Sequence, residues 1–196
     1  MPVSPSEMIS LVLRQVMETA QVYGGVRSVL DIGIGDGFYG AALRRYFDHA
    51  GNRFGADAWQ FRLVGVEGFG GFETPCWEYY DAVHKVMVQD YFKSHNERFD
   101  IILLLDVLDK MSAEEAMAVL KDAYDRTDKC LIVSAASKPR AELEWGTDLM
   151  KLHNTYKPEA IVDRVTPRFR ILHEWNDHWL AALFNEYLPV RGFDGA

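Results

Sequence analysis

"VLDIGIGDGFYG", residues 29–40, is the stretch that decides the fold of this chain. It leads from an apolar segment into a loop that contains Gly33, Gly35, Gly37 and Gly40, with an acid on either side of the second glycine. Glycine loses more backbone entropy on folding than any other residue, so such a cluster needs a reason beyond packing. The usual reason is a ligand that comes very close to the backbone, and the carboxyl end of a first strand is where such a ligand binds.

Strands alternate with helices on both sides of this loop. A capping box at Ser4-Pro5-Ser6-Glu7 predicts a first helix that stops at Gly24-Gly25, and a second box at Ser112-Ala113-Glu114-Glu115 predicts a later one. The helix after the glycine loop is predicted to bury Tyr39, Leu43, Tyr46 and Phe47, and a short helix is predicted over 76–83. Predicted strands cover 28–32, 62–66, 85–88, 99–108 and 130–136. This alternation predicts right-handed crossovers and a parallel sheet.

The end of the chain follows a different pattern. The segments RFRILHEW and HWLAALF are separated only by Asn176-Asp177, a spacing that requires an antiparallel hairpin. We therefore predict an α/β Rossmann-like, doubly wound fold with a seven-stranded, mostly parallel sheet and an antiparallel C-terminal hairpin. One domain is predicted over 1–196, comprising an N-terminal helix (1–25), a ligand-binding core (26–135), an acceptor-side segment (136–167) and the hairpin (168–186).

Composition narrows the class of protein. The 196 residues carry 21 basic and 29 acidic side chains, a formal net charge of −8, which argues against a large nucleic-acid footprint. The first residues lack the pattern of a signal peptide, and no apolar run has the ~18 residues needed to cross a bilayer. Cys130 opens the apolar run CLIVS and is predicted to be a buried free thiol. These features predict a cytoplasmic protein without a membrane partner, and no metal site is predicted.

Two kinds of ligand could explain the glycine loop. A dinucleotide site needs G-x-G-x-x-G, but Phe38 stands where the third glycine belongs. The loop also holds Asp36 and follows Asp31, so it offers no positive charge to a pyrophosphate. A ligand that carries positive charge suits these carboxylates better.

The ordered motifs resemble those of class I S-adenosylmethionine (SAM)-dependent methyltransferases over about the first 135 residues. LDIGIGDG is similar to the loop beneath the methionine and ribose of SAM, and LVGVEGF places Glu67 where the family holds the ribose hydroxyls. VMVQDYF places Asp90 at the adenine position, and DIILLLDVLDKM places Asp106 beside the methyl-transfer site. The resemblance implies SAM as cofactor and the following cofactor-binding residues: Asp31, Gly33, Gly35, Gly37, Glu67, Gly68, Asp90, Tyr91 and Asp106.

The longer pattern resembles small bacterial methyltransferases that are associated with sugars, glycans or other small molecules. The resemblance therefore implies a small-molecule or glycan-like acceptor. This chain departs from that subgroup at Asp109-Lys110, where the subgroup has a Glu-His pair, and at Thr155-Tyr156, where it has serine and tryptophan.

A general base is needed only where the acceptor is a hydroxyl or a protonated amine. In LHNTYKPEAI, His153 is the candidate base, and a surface or packing role is its alternative. The same segment also contains Tyr156 as a residue for the acceptor side. His173 and His178 flank the hairpin turn and are predicted to be structural or solvent-facing. Phe69, Phe72, Trp77 and Tyr80 are predicted either to form a lid or acceptor pocket or to pack against the sheet.

Other functions share the same sequence features. An aminopropyl-type transferase would use the same cofactor pocket, but the basic segment SAASKPR lies where that chemistry needs acids. A non-catalytic SAM-binding partner or regulatory module stays open because the Glu-His pair is missing. DNA base methylation is disfavoured, because DVLDKM replaces the Asn/Asp-Pro-Pro-aromatic tetrad. The oligomeric state is not indicated.

Overall fold

A computed structural model describes residues 6–138 and 154–185 of the chain. In these ranges α-helices and β-strands alternate up to residue 136, except that 3₁₀-helices join the second strand to the third, and two further strands follow a short helix. The helices are α1 (Ser6–Val22), α2 (Phe38–Phe47), α3 (Val88–Ser94), α4 (Ala113–Asp125) and α5 (Pro158–Val162). The strands are β1 (Ser28–Ile32), β2 (Arg62–Val66), β3 (Ala82–His84), β4 (Phe99–Leu105), β5 (Thr127–Ala136), β6 (Phe169–Glu174) and β7 (His178–Phe184). Within the described ranges, no helix has both the length and the apolar composition that a membrane span requires.

All seven strands belong to one sheet in the order β3-β2-β1-β4-β5-β7-β6. The pairs from β3 to β5 are parallel, whereas β7 is antiparallel to both β5 and β6. The sheet order reverses between β1 and β4, because β1 lies between β2 and β4. A crevice forms at the carboxyl ends of the strands at such a point. The predicted α/β fold and its antiparallel hairpin are confirmed.

Helices cover the two faces of the sheet. On one face α1 and α2 bury side chains such as Met8, Val12 and Leu43, and on the other α3, α4 and α5 bury side chains such as Phe92 and Leu120. The buried side chains of β4 alternate between the two faces, which explains why its sequence is apolar throughout. The sheet is therefore the central layer of three.

The structure tests two further predictions, the capping box at Ser112 and the buried thiol of Cys130. Ser112 Oγ accepts a hydrogen bond from the backbone N–H of Glu115, whose side chain in turn accepts one from the N–H of Ser112, as predicted. Cys130 is fully buried and free, also as predicted. The predicted cap at Ser4-Pro5 lies outside the described residues.

Three local predictions were wrong. The third strand covers Ala82–His84 instead of 85–88, because the Asp81 carboxylate accepts a 2.6 Å hydrogen bond from the N–H of Leu63 and fixes an earlier register. A 3₁₀-helix over Pro75–Tyr79 replaces the helix predicted over 76–83. In α2, Tyr46 is 51% exposed and Arg44 is fully buried in its place.

Candidate cofactor site

The glycine loop has a backbone that other residues adopt only with strain. Gly33, Gly35 and Gly37 have φ angles of +74°, +54° and +83°, all in the left-handed region that favours glycine. The Gly33 N–H donates to the carbonyl of Val66 at 2.8 Å, which attaches the loop to the neighbouring strand. A Cβ on Gly35 would meet nothing within 4 Å, so this part of the loop leaves open space above its backbone.

A cavity of about 280 Å³ opens beside this loop at the carboxyl ends of β1, β2 and β4. Its wall combines the glycine loop, the segment after β2, the segment before α3 and the residues after β4. Most of the lining is apolar, and charged side chains enter it at only a few positions. Its lining includes Ile9, Gly33, Gly35, Phe38, Tyr39, Glu67, Gly68, Phe69, Phe72, Val86, Met87, Val88, Asp106, Val107, Lys110 and Met111.

Glu67 is held in the cavity wall by backbone donors. Its Oε2 accepts from the N–H of Gly35 at 2.9 Å, and its Oε1 accepts from the N–H of Phe69 at 2.8 Å. Burial raises the pKa of the Glu67 carboxyl, and the hydrogen bonds from these backbone N–H groups oppose that effect. Each carboxylate oxygen has a second lone pair, so Glu67 can still accept hydrogen bonds from a ligand.

Asp31 lies beneath the loop and is 2% exposed. Tyr80 Oη donates to its Oδ2 at 2.6 Å and accepts from the N–H of Gly40 at 3.1 Å. Burial raises the pKa of Asp31 to about 7; the hydrogen bond from Tyr80 opposes this effect, and the nearby Glu67 adds to it. Two neighbouring buried carboxyls therefore lie at one side of the cavity.

Asp106 follows β4 directly and has a φ of +57°, which is uncommon for a residue other than glycine. Its N–H lies 3.1 Å from Ser134 Oγ, and Ser134 Oγ donates to Asp106 Oδ1 at 2.9 Å. His178 Nε2 lies 2.7 Å from the same oxygen. The histidine is 2% exposed, so of its two predicted roles, structural or solvent-facing, the burial fits the structural one.

The structure brings together five of the nine predicted cofactor residues: Gly33, Gly35, Glu67, Gly68 and Asp106 line the cavity. Asp31 and Gly37 lie behind its wall. The other two predicted positions, Asp90 and Tyr91, are not brought to it. The Asp90 side chain is 63% exposed and pairs with Lys93, while Tyr91 is buried and stacks on His95. The predicted base His153 lies outside the described residues.

The four aromatic residues after β2 divide between the two predicted roles. Phe69 and Phe72 line the cavity. Trp77 instead supports the glycine loop, because its Nε1 donates to the carbonyl of Gly35 at 2.8 Å, and Tyr80 supports Asp31. The sequence interpretation missed His178 and Ser134 as neighbours of Asp106, and Lys110 as part of the wall.

Replacing Gly33 with alanine is expected to destabilise the protein more than the same change at a free loop glycine. A Cβ on Gly33 would lie 2.5 Å from Val107 Cγ2, and its φ of +74° adds about 1–2 kcal/mol of backbone strain. Gly24 has a similar φ of +72° with nothing within 4 Å, and Gly70 has neither constraint. Urea unfolding should therefore rank the losses Gly33→Ala, then Gly24→Ala, then Gly70→Ala. Equal losses at Gly33 and Gly24 would contradict the clash with Val107.

No protein-family model and no curated protein matches the sequence. Solved structures do match over most of the chain. The bifunctional kinase-methyltransferase WbdD shares 16% identity at a TM-score of 0.65 over 92% of this chain and 40% of WbdD. A second match is magnesium protoporphyrin IX methyltransferase (ChlM) from Synechocystis PCC 6803, which was solved with bound SAM. It shares 14% identity at a TM-score of 0.59 over 91% of this chain and 78% of ChlM.

An O-methyltransferase family protein from Burkholderia thailandensis gives 15% identity and a TM-score of 0.53 over 89% of this chain and 56% of that protein. The chain thus spans about two fifths of the length of WbdD. These likenesses show that the chain has the fold of SAM-dependent methyltransferases of known structure.

Proposed function

We propose that this chain, which has a methyltransferase fold, binds SAM in the cavity and transfers its methyl group to a small-molecule or glycan-like acceptor. The observation that carries the proposal is the contact between Glu67 Oε2 and the N–H of Gly35, which joins the acid after β2 to the glycine loop inside the cavity wall. ChlM, which has this fold, was solved with SAM bound.

The charge balance of the cavity supports a ligand that carries positive charge. Four charged residues line the cavity, the acids Asp36, Glu67 and Asp106 and the base Lys110, and the buried acid Asp31 lies behind its wall. This excess of acids favours a cationic ligand over a pyrophosphate. SAM supplies a methyl group on a positively charged sulfur, and this charge fits such a site.

The residues present can hold the other parts of SAM. Glu67 is the proposed acceptor for the ribose hydroxyls, since a carboxylate can accept two hydrogen bonds from a diol. Gly33 and Gly35 let the backbone approach the ligand. Val86 and Met87, 40% and 37% exposed in the cavity wall, are the proposed apolar contacts for the adenine ring. This assignment replaces the predicted contact with Asp90.

The acceptor is proposed to enter beside Asp106. ChlM is a magnesium protoporphyrin IX methyltransferase, and the related structure BamL is a plantazolicin methyltransferase, so proteins of this fold act on different small molecules. The net charge of −8 makes a nucleic-acid acceptor unfavourable. We further propose a cytoplasmic location, which fits the free thiols of Cys76 and Cys130.

Calorimetric titration with SAM and, separately, with S-adenosylhomocysteine tests the proposal. The Glu67→Gln variant is expected to bind SAM at least about tenfold more weakly, a loss of about 1.4 kcal/mol, because the amide offers fewer acceptor lone pairs to a diol. Glu114→Gln, at an exposed position in the first turn of α4, is the matched control and should bind as the wild type does.

The outcomes separate the candidate functions. Binding with formation of S-adenosylhomocysteine supports an enzyme, whereas binding of both ligands without turnover supports the non-catalytic module. If the wild type binds neither ligand, or if Glu67→Gln binds as tightly as the wild type, this cofactor assignment is wrong.

A further inference from the structure

We propose that Asp106 accepts the proton of the methyl acceptor and that His178 and Ser134 position its carboxylate for this step. The inference rests on the proposed function and deepens it, because it assigns the acceptor side of the same cavity. It replaces His153, the base suggested by the sequence, with a group that the structure places in the cavity wall.

The position of Asp106 is constrained by its surroundings. It lies directly after β4, lines the cavity and has a left-handed backbone with φ +57°. A residue other than glycine in this region has a strained backbone, and such strain persists only where neighbouring contacts hold it. Ser134 provides two of these contacts, one to the Asp106 N–H and one to Oδ1.

His178 approaches Asp106 from the first residue of β7, opposite Ala136 of β5. Its carbonyl accepts from the N–H of Trp175 at 2.8 Å, so the residue is fixed by the hairpin as well as by the sheet. Nε2 lies 2.7 Å from Asp106 Oδ1. Within the part of the chain that the structure describes, Nδ1 and Nε2 are both buried and neither has a partner with hydrogen-bond geometry, so the approach of Nε2 to Asp106 Oδ1 is close in distance but is not a hydrogen bond. This approach is the polar contact that the described structure gives to the imidazole.

Asp109 and Lys110 form a second pair of charged side chains near Asp106. Lys110 Nζ lies 3.1 Å from Asp109 Oδ1, and Asp109 is 2% exposed. Burial raises the pKa of Asp109, while Lys110 opposes that effect. Lys110 is thus paired with Asp109, and Asp106 and His178 also act on the Asp109 carboxyl, which places these four groups in one cluster of charged and titratable side chains.

The chemistry of the step balances without another reactant. The lone pair of an acceptor O–H or N–H forms the new bond to the methyl carbon. The bond from that carbon to sulfur breaks, and its electron pair stays on sulfur as the neutral thioether. The acceptor proton passes to the Asp106 carboxylate and then to solvent. His178 is a positioning residue here, since it acts through Asp106.

The test compares Asp106→Asn, His178→Gln and His178→Ala with the wild type and with His173→Gln. His173 is an exposed histidine on the other strand of the hairpin, so it is the matched control. Each protein is incubated with SAM, first in water alone and then with methyl α-mannoside, catechol or ethanolamine. Mass spectrometry measures S-adenosylhomocysteine against a protein-free blank, and calorimetry measures the SAM affinity of every variant.

Formation of S-adenosylhomocysteine by the wild type is expected to exceed the blank and to fall at least about 100-fold in Asp106→Asn, the lower end of what a general base contributes. His178→Ala is expected to lose most of the wild-type kcat while its KM for SAM stays unchanged. His178→Gln should recover part of it, because the amide keeps an N–H group close to Asp106. SAM affinity of the His178 variants should stay within about threefold of the wild type, because His178 acts through Asp106 and is not among the residues that line the cavity.

Other results overturn the inference. If SAM binds but the wild type never exceeds the blank with water or any probe, or if Asp106→Asn and His178→Gln turn over like the wild type, then Asp106 is not the base. If His178→Ala fails to fold, His178→Gln and Asp106→Asn decide the result. Absence of SAM binding by the wild type refutes the proposed function instead, and the two failures are thereby distinguished.

Discussion

Replacing Arg44 with methionine is expected to lower the free energy of unfolding by about 3–5 kcal/mol, because the change removes one of the two arginines that pair with a buried carboxylate. Arg44 is fully buried in α2, a position where a cation is stable only if it is paired and hydrogen-bonded. Its Nη1 lies 2.6 Å from Asp48 Oδ2 and also donates to the carbonyl of Phe61, and its Nε donates to the carbonyl of Tyr79.

The Asp48 carboxylate depends on this arrangement. It is fully buried and accepts from Arg44, from Arg53 Nε at 2.8 Å and from the N–H of Gln60 at 2.9 Å. Burial alone would raise the pKa of Asp48, but these hydrogen bonds outweigh it and hold the pKa below its ordinary value. Without Arg44 the same buried charge would have fewer donors.

Urea unfolding near pH 7 measures the effect. Arg45→Met is the control, because Arg45 is the next residue of the same helix and is exposed. That change should alter the unfolding free energy by less than about 0.5 kcal/mol, as surface substitutions usually do. A loss below about 1 kcal/mol for Arg44→Met would contradict the view that the buried cation stabilises this side of the fold.

Arg44 also shows where sequence patterns fail. Periodicity predicted Tyr46 on the buried face of α2 because apolar residues are expected there. The buried residue is Arg44, which pairs with Asp48 four residues later and donates to the carbonyls of Phe61 and Tyr79, 17 and 35 residues later. No local pattern reveals that a charge will be satisfied by backbone carbonyls so far along the chain.

Features decided by neighbouring residues were predictable. The strands over Ser28–Ile32 and Arg62–Val66 and the capping box at Ser112 depend on short-range patterns, and all three are confirmed. The third strand failed because the hydrogen bond from Leu63 to Asp81, across 18 residues, sets its register. The apolar residues that suggested a strand, Val86 to Val88, instead line the cavity.

The candidate site divides in the same way. Glu67 and Asp106 each follow a recognisable buried strand, so sequence alone places them at the same edge of the sheet. His178 lies 72 residues after Asp106, and their contact follows only from the antiparallel register of β7 against β5. Ser134 of β5 is paired with Leu105 of β4 on one side and with Leu180 of β7 on the other. This register brings His178 to the end of β4. The contact between His178 and Asp106 therefore depends on the order and register of the strands, and the residues next to His178 in the sequence do not predict it.

Asp31→Asn is expected to make the protein relatively more stable as the pH rises from about 4 to about 7. Burial raises the pKa of Asp31 from 3.8 to about 7, so the folded state holds a proton on Asp31 that the unfolded state has already lost. Stability from this group is fully present below about pH 3.8 and is lost as the pH rises through about 7. At about 1.4 kcal/mol per pKa unit, the loss is on the order of 4 kcal/mol.

The difference between the two proteins isolates this group, because the remaining acids titrate in both. Unfolding free energies of wild type and Asp31→Asn, measured by urea at several pH values, should diverge through this interval and run parallel above about pH 7. Asp128→Asn, an exposed aspartate of β5, is the control and should give no such divergence. The groups that face Asp31 are Tyr80 and Glu67, and Tyr80 stays neutral over the whole interval because burial raises its pKa further.

SAM should offset part of the stability that is lost when Asp31 ionises, because its positive sulfur favours the ionised Asp31 in the proposed site. The thermal stabilisation by saturating SAM should therefore be greater near pH 7.5 than near pH 5.5, whereas neutral S-adenosylhomocysteine should show a smaller dependence. In Asp31→Asn this difference between the two ligands should shrink. If the unfolding free energies of wild type and variant differ by the same amount at every pH, then Asp31 is ionised throughout. The buried carboxyls of Asp31 and Glu67 would then need a cation from elsewhere.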